Sequence, residues 1–127
     1  MLSKPIPITL LDSVALINSS HAGTIVVTGS HGGRSAAGFV VDVSKKPLAV
    51  FFNDAGGGKD DAGKVGLGML QAIGVPAACY SHMSARIGDA QDGLGNGKLT
   101  DMNDLAKQIG IKKDMQVSEA TRRIQKQ

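Results

Sequence analysis

Three short apolar runs, "TIVVT" (24–28), "LAVFF" (48–52) and "AACYS" (77–81), do most to limit what this chain can become. Each has the length of a strand and is apolar throughout, without the alternation of a strand that keeps one face wet. Continuous apolar strands belong in a parallel sheet covered on both faces. Polar, glycine-rich sequence follows each run at once, and the segments between them read as helices, which is the rhythm of βαβ units. The expected fold is α/β, a single Rossmann-like three-layer domain over residues 1–127 with a mainly parallel sheet.

The clearest intervening helix has Asp60 or Asp61 as a cap, Val65, Leu67, Met69, Leu70 and Ile73 as its apolar surface, and Gly74 with Pro76 as its stop. Its interior glycines, Gly63, Gly66 and Gly68, each cost roughly 1 kcal/mol against alanine in a helix. They therefore point to close packing against the sheet or another subunit. The segment from Ser35 to Lys46 reads as a helix capped by Ser35, yet "GFVVDV" (38–43) is rich in β-branched residues and also suits a strand, which would make the sheet mixed.

Ahead of Thr24 the chain reads as a short strand and then a helix ending near Gly23. Beyond Ser81 lies a long irregular stretch in which Asp92-Gly93 and Asn96-Gly97 are turn signals. Asp101 reads as the cap of a helix carrying Leu105, Ala106 and Ile109, and Ser118 opens a last helix within the basic segment 112–127.

Charge narrows the function classes. Residues 1–111 hold nine Lys/Arg against nine Asp/Glu, so the net +3 comes from Lys112, Lys113, Arg122, Arg123 and Lys126 opposed by Asp114 and Glu119. Such a tail, with no interleaved aromatic, is a solvated helix rather than a nucleic-acid footprint. No apolar run approaches the roughly 20 residues that span a bilayer. The N-terminus has no apolar stretch followed by a small-residue cleavage site, so no secretory signal is read and the cytoplasm is the default expectation. The lone Cys79, inside "VPAACY", reads as a buried structural thiol.

In an open parallel sheet, ligands collect outside the carboxyl ends of the strands. The loops there are "GSHGGRS" (29–35), "NDAGGGKDD" (53–61) and "HMSARIGD" (82–89). Gly32, Gly33 and Gly57 allow backbone amides to turn toward an anion, although glycines also simply make tight turns. Neither of the two glycine-rich loops, 29–35 and 53–61, has the spacing of a dinucleotide or Walker motif. Arg34, Lys59 and Arg86 favour a carboxylate-bearing ligand, with Arg86 as a bidentate clamp.

His31, Asp54 and His82 are the candidate acid–base residues, because a carboxylate beside an imidazole poises it as a proton carrier. A serine triad would use Ser30 or Ser84 with a histidine and with Asp54 or Asp89. Adjacent residues on an extended chain point apart, so Ser30 is poorly placed for its neighbour His31. His31, Asp54 and His82 also make a divalent-metal set, but no i, i+4 histidine pair or H-E-x-x-H supports one, and the residues leave the cofactor unknown. His21 sits before the first secure strand, at the opposite end of the sheet, and reads as structural.

The expected activity is hydrolysis, isomerisation or elimination on a small anionic metabolite. The alternative is a non-enzymatic ligand-binding or interaction module. Little aromatic surface and glycine-rich helix faces lead to the expectation of a homo-oligomer in either case.

Overall fold

The three apolar runs become the centre of the sheet. The computed structural model describes residues 5–57 and 64–126. The sheet has five strands in the order β1 (Ile8–Leu11), β2 (Ile25–His31), β3 (Ala49–Asn53), β4 (Ala77–Tyr80) and β5 (Leu99–Met102). The first four are parallel and β5 runs antiparallel to β4.

Alternate residues of each central strand enter different cores. Val26, Val50, Phe52 and Cys79 pack under α1 (Arg34–Asp42) and α2 (Gly66–Ala72). Ile25, Val27, Phe51 and Tyr80 pack under the other layer, where α4 (Asp104–Gln108) contributes Ala106 and α5 (Val117–Gln125) contributes Val117, Ala120 and Ile124. Between β4 and β5, α3 (Ala90–Asn96) covers the same face with Leu94. Full burial of one such aliphatic or aromatic side chain is worth about 1.5–3 kcal/mol over exposure. Both faces of β2, β3 and β4 are covered, which is why their runs lack alternation.

Residues 38–42 lie within α1, so the segment is a helix and not a strand, but it ends at Asp42 with Val43 as an extended C-cap rather than at Lys46, and Gly33 rather than Ser35 is the N-cap. The Lys46 ammonium closes the other end by donating to the carbonyls of Val41 and Val43. The sheet is mixed for another reason, the antiparallel "LTDM" of β5. Asp101 therefore lies in a strand, and the cap of α4 is Asn103, whose side chain accepts from the Ala106 amide. The helix expected before Gly23 is two 3-10 turns, Val14–Leu16 and Ser19–His21, capped by Ser13 and Asn18. The stretch after Ser81 is not wholly irregular, because Asp89 caps α3 there. The proposed caps Asp60 and Asp61, with Gly63, fall outside the described residues.

Gly66 explains itself. A Cβ there would stand 2.6 Å from the Gly32 carbonyl oxygen and 2.7 Å from the Ala37 Cβ, so α2 reaches α1 only because it has none. The packing that the interior glycines call for is thus helix on helix at Gly66. Around Gly68 the space is open. No helix among the described residues is long and apolar enough to cross a membrane.

Candidate functional site at the carboxyl edge of the sheet

The chain leaves β2 and β3 toward α1 and α2 on one face, and leaves β4 toward α3 on the other. The loops after β3 and β4 therefore part, as at the ligand-binding edge of an open α/β sheet. Asp54 and His82 stand on the two sides of that parting.

Asp54 is the first residue after β3, and its environment is built by a short left-handed run. Ala55, Gly56 and Gly57 have φ of 54°, 76° and 84°. This region costs an L side chain roughly 1–2 kcal/mol and glycine nearly nothing. The turn brings the Gly56 amide to 2.8 Å from Asp54 Oδ1 and lets the Gly57 amide donate to the Asp54 carbonyl. From across the sheet edge the His82 amide donates to the same Oδ1 at 2.9 Å, and His82 Nδ1 lies 3.1 Å away.

Burial raises the Asp54 pKa, but hydrogen bonds from the Gly56 and His82 amides and the His82 ring outweigh it, and the net effect holds the carboxyl below the ordinary value of 3.8. Asp54 is a shielded carboxylate, its side chain 11% exposed, whereas the His82 side chain is 46% exposed. A carboxylate oxygen on Nδ1 selects the Nδ1–H tautomer and leaves a lone pair on Nε2. The imidazole also lies against Gly56, whose missing Cβ would be 3.4 Å from Cε1.

The other histidines are oriented the opposite way. His31 ends β2 beside Asn53, and its Nδ1 accepts the Gly33 amide at 3.0 Å, which leaves the proton on Nε2. His21, at the far edge, accepts the Asn18 amide on Nδ1 and completes a capping box. Thus the structure joins Asp54 to His82, and gives His31 the Gly33 amide as its own partner.

The remaining candidates take up varied places. Ser30 Oγ accepts the Val14 amide, and Ser84 Oγ donates to the Ser81 carbonyl and accepts the Lys98 amide. Both hydroxyls thus hold backbone. Arg34 opens α1 at the surface, and the Gly32 carbonyl accepts the Gly66 amide. Arg86 is exposed, and its amide donates to Asp92 Oδ2 at 2.7 Å. Asp89 caps α3 through the Asp92 amide. Lys59 lies outside the described residues.

The loop carrying His82, Ser84 and Arg86 is anchored at several points. The buried Asn53 donates to the Ala85 carbonyl, and the Gly88 amide donates to the Gly29 carbonyl. Only glycine fits at position 29, because a Cβ would come within 2.6 Å of the Gly88 carbonyl carbon. Cys79 is fully buried in the core, and burial pushes its thiol far up, away from nucleophile chemistry. Among the described residues no group of three or more His, Cys, Asp or Glu is placed to hold a metal ion.

Sequence reasoning missed Thr100 and Asp12. Asp12 follows β1 and accepts the Ala90 amide at 2.9 Å, while the Thr100 hydroxyl reaches Asp54 from β5. Asp12 could have been found as the polar residue closing the first strand. Thr100 carried no signal, since its strand was read as the lead into a helix.

Comparison with protein-family models, with curated proteins and with solved structures finds no match for this chain.

Proposed function

We propose that the chain is a small-molecule enzyme of the cytoplasm that acts on a carboxylate-bearing metabolite by proton transfer at His82. The supporting observation is the shared Oδ1 of Asp54, which takes two backbone amides and His82 Nδ1. In this reading Asp54 fixes the ring and balances the imidazolium that forms, and His82 Nε2 removes a proton from the substrate. His31, with its proton on Nε2, serves as a donor to the oxygen where charge develops. Arg34, Arg86 and Lys59 supply the positive field that attracts the carboxylate. Hydrolysis, isomerisation and elimination all use such a base and donor.

The test is a panel of small hydroxy acids, esters and amides incubated with the protein and followed by proton NMR. Turnover lost in both His82→Gln and Asp54→Asn, with the fold retained, supports the reading; turnover untouched by both ends it. A second reading, an oligomeric or ligand-binding interaction module, draws on Leu16 and Phe39, which are 62% and 46% exposed on adjoining elements. Light scattering that finds an oligomer, with no substrate in the panel, favours that one.

A further inference from the structure

The oxygens of Asp54 are unequally satisfied. Oδ1 receives three donors, whereas among the described residues Oδ2 has one partner, the Thr100 hydroxyl at 3.4 Å. That hydroxyl also lies 3.3 Å from the Cys79 carbonyl oxygen. A threonine has one hydroxyl proton and here two acceptors, so it can serve only one fully at a time.

The strand carrying Thr100 is irregular at this residue. β5 pairs Met102 with Ala78 and Asp101 with Cys79, but Leu99, not Thr100, pairs with Tyr80. Thr100 is therefore the extra residue of a β-bulge, a device that re-aims a side chain and is common beside functional sites. Here the re-aimed hydroxyl meets the carboxylate that holds His82.

We propose that Thr100 is a positioning residue for the Asp54–His82 pair, acting through its shared hydroxyl proton to set how much negative charge Asp54 presents to the imidazole. The proposal rests on the acid–base reading of that pair. The Gly56 and His82 amides already fix Oδ1, so the carboxylate keeps its direction without Thr100 and the effect is one of charge. When the hydroxyl donates to Oδ2 it withdraws charge and weakens Oδ1 as an acceptor. When it turns to the Cys79 carbonyl, Oδ1 gains charge and binds the Nδ1 proton more strongly.

The experiment is two-bond proton–nitrogen NMR of the three imidazoles in the intact chain at a pH where they are neutral. Wild type is compared with Thr100→Val, Thr100→Ala, Thr100→Ser and Asp54→Asn. Removal of the hydroxyl moves the His82 Nδ1 resonance downfield in the Val and Ala variants, while Ser matches wild type and His21 and His31 stay unmoved. The Ala variant carries the test if valine at the bulge prevents folding. If Val and Ala match wild type while Asp54→Asn moves His82, Thr100 has no such role and the pair stands. If Asp54→Asn also leaves His82 unmoved, the pair itself is absent and both readings fall.

Discussion

His82 is tied twice to one oxygen of Asp54, through its backbone amide at 2.9 Å and its Nδ1 at 3.1 Å. The amide fixes where the residue begins and the ring contact fixes how it ends, so few rotamers satisfy both. Preorganisation of this kind matters because a base works only when its lone pair already faces the reacting proton.

The histidines should accordingly differ in tautomer. His21 and His31 accept backbone amides on Nδ1 and carry their proton on Nε2, whereas His82 carries it on Nδ1. Nitrogen chemical shifts in mildly alkaline solution read this directly, and Asp54→Asn should release His82 alone. A common tautomer for all three would contradict the geometry. On the proposed acid–base reading, loss of either member of the pair should cost about 10²–10⁴-fold in rate on any substrate turned over in the panel, the usual worth of a positioned acid–base group.

Acid stability follows from the same carboxylate. The folded state holds the Asp54 pKa below 3.8, so the unfolded state binds its proton first as pH falls. The stabilisation is thus fully present above the ordinary carboxylate range and disappears as pH falls through the lowered folded-state value. Urea midpoints measured from neutral to strongly acidic pH should separate wild type from Asp54→Asn at neutral pH and bring the two curves together in acid. Parallel curves would show that Asp54 gains nothing from folding as an anion.

The central sheet was legible because its strands are buried on both faces and must be apolar at every position. β5 was not, because only Leu99 of its four residues is fully buried and Thr100, Asp101 and Met102 are half-buried at an edge. Half-buried polar residues beside Asp101 look like a helix cap, and the true cap, Asn103, lies just beyond them. The carboxyl edge of the sheet was legible from the position of the three post-strand loops, which brought His31, Asp54 and His82 together as candidates. The parting of the loops after β3 and β4 was not, because it depends on which face each following helix covers. Thr100 could not be, since a bulge in an unseen strand aims it. α3 was hidden for a related reason: Gly93 and Gly97 look like turn residues, yet they give the Tyr80 ring room beneath the helix and its end.

Asn103 should be the most sensitive polar residue of the described core. Its Nδ2 donates to the Leu67 and Val75 carbonyls, and its Oδ1 accepts the Ala77 and Ala106 amides, so all four hydrogen-bonding positions are used. Asn103→Asp would aim a carboxylate oxygen at two carbonyls, and Asn103→Ala would strand four backbone groups. Each should cost about 3–5 kcal/mol in chemical denaturation. The Asp variant should regain part of this on mild acidification, when a protonated carboxyl can again donate. A loss below about 1 kcal/mol, the typical worth of one neutral hydrogen bond, would mean that water replaces the amide at no great cost.

Two glycines of α2 should answer the same substitution with opposite signs. At Gly66 an alanine Cβ would meet the Gly32 carbonyl oxygen at 2.6 Å and the Ala37 Cβ at 2.7 Å, so either α2 backs away from α1 or the loop carrying His31 shifts. Overpacking of this kind costs roughly 1–3 kcal/mol, more than the gain in helix propensity. At Gly68 a Cβ meets nothing within 4 Å, and alanine should stabilise the helix by about 0.5–1 kcal/mol. Thermal melts of Gly66→Ala and Gly68→Ala compare the two directly. Should Gly68→Ala also destabilise, with a smaller mass by light scattering, the open space at that glycine is filled by a second copy of the chain, and the oligomeric reading gains its interface.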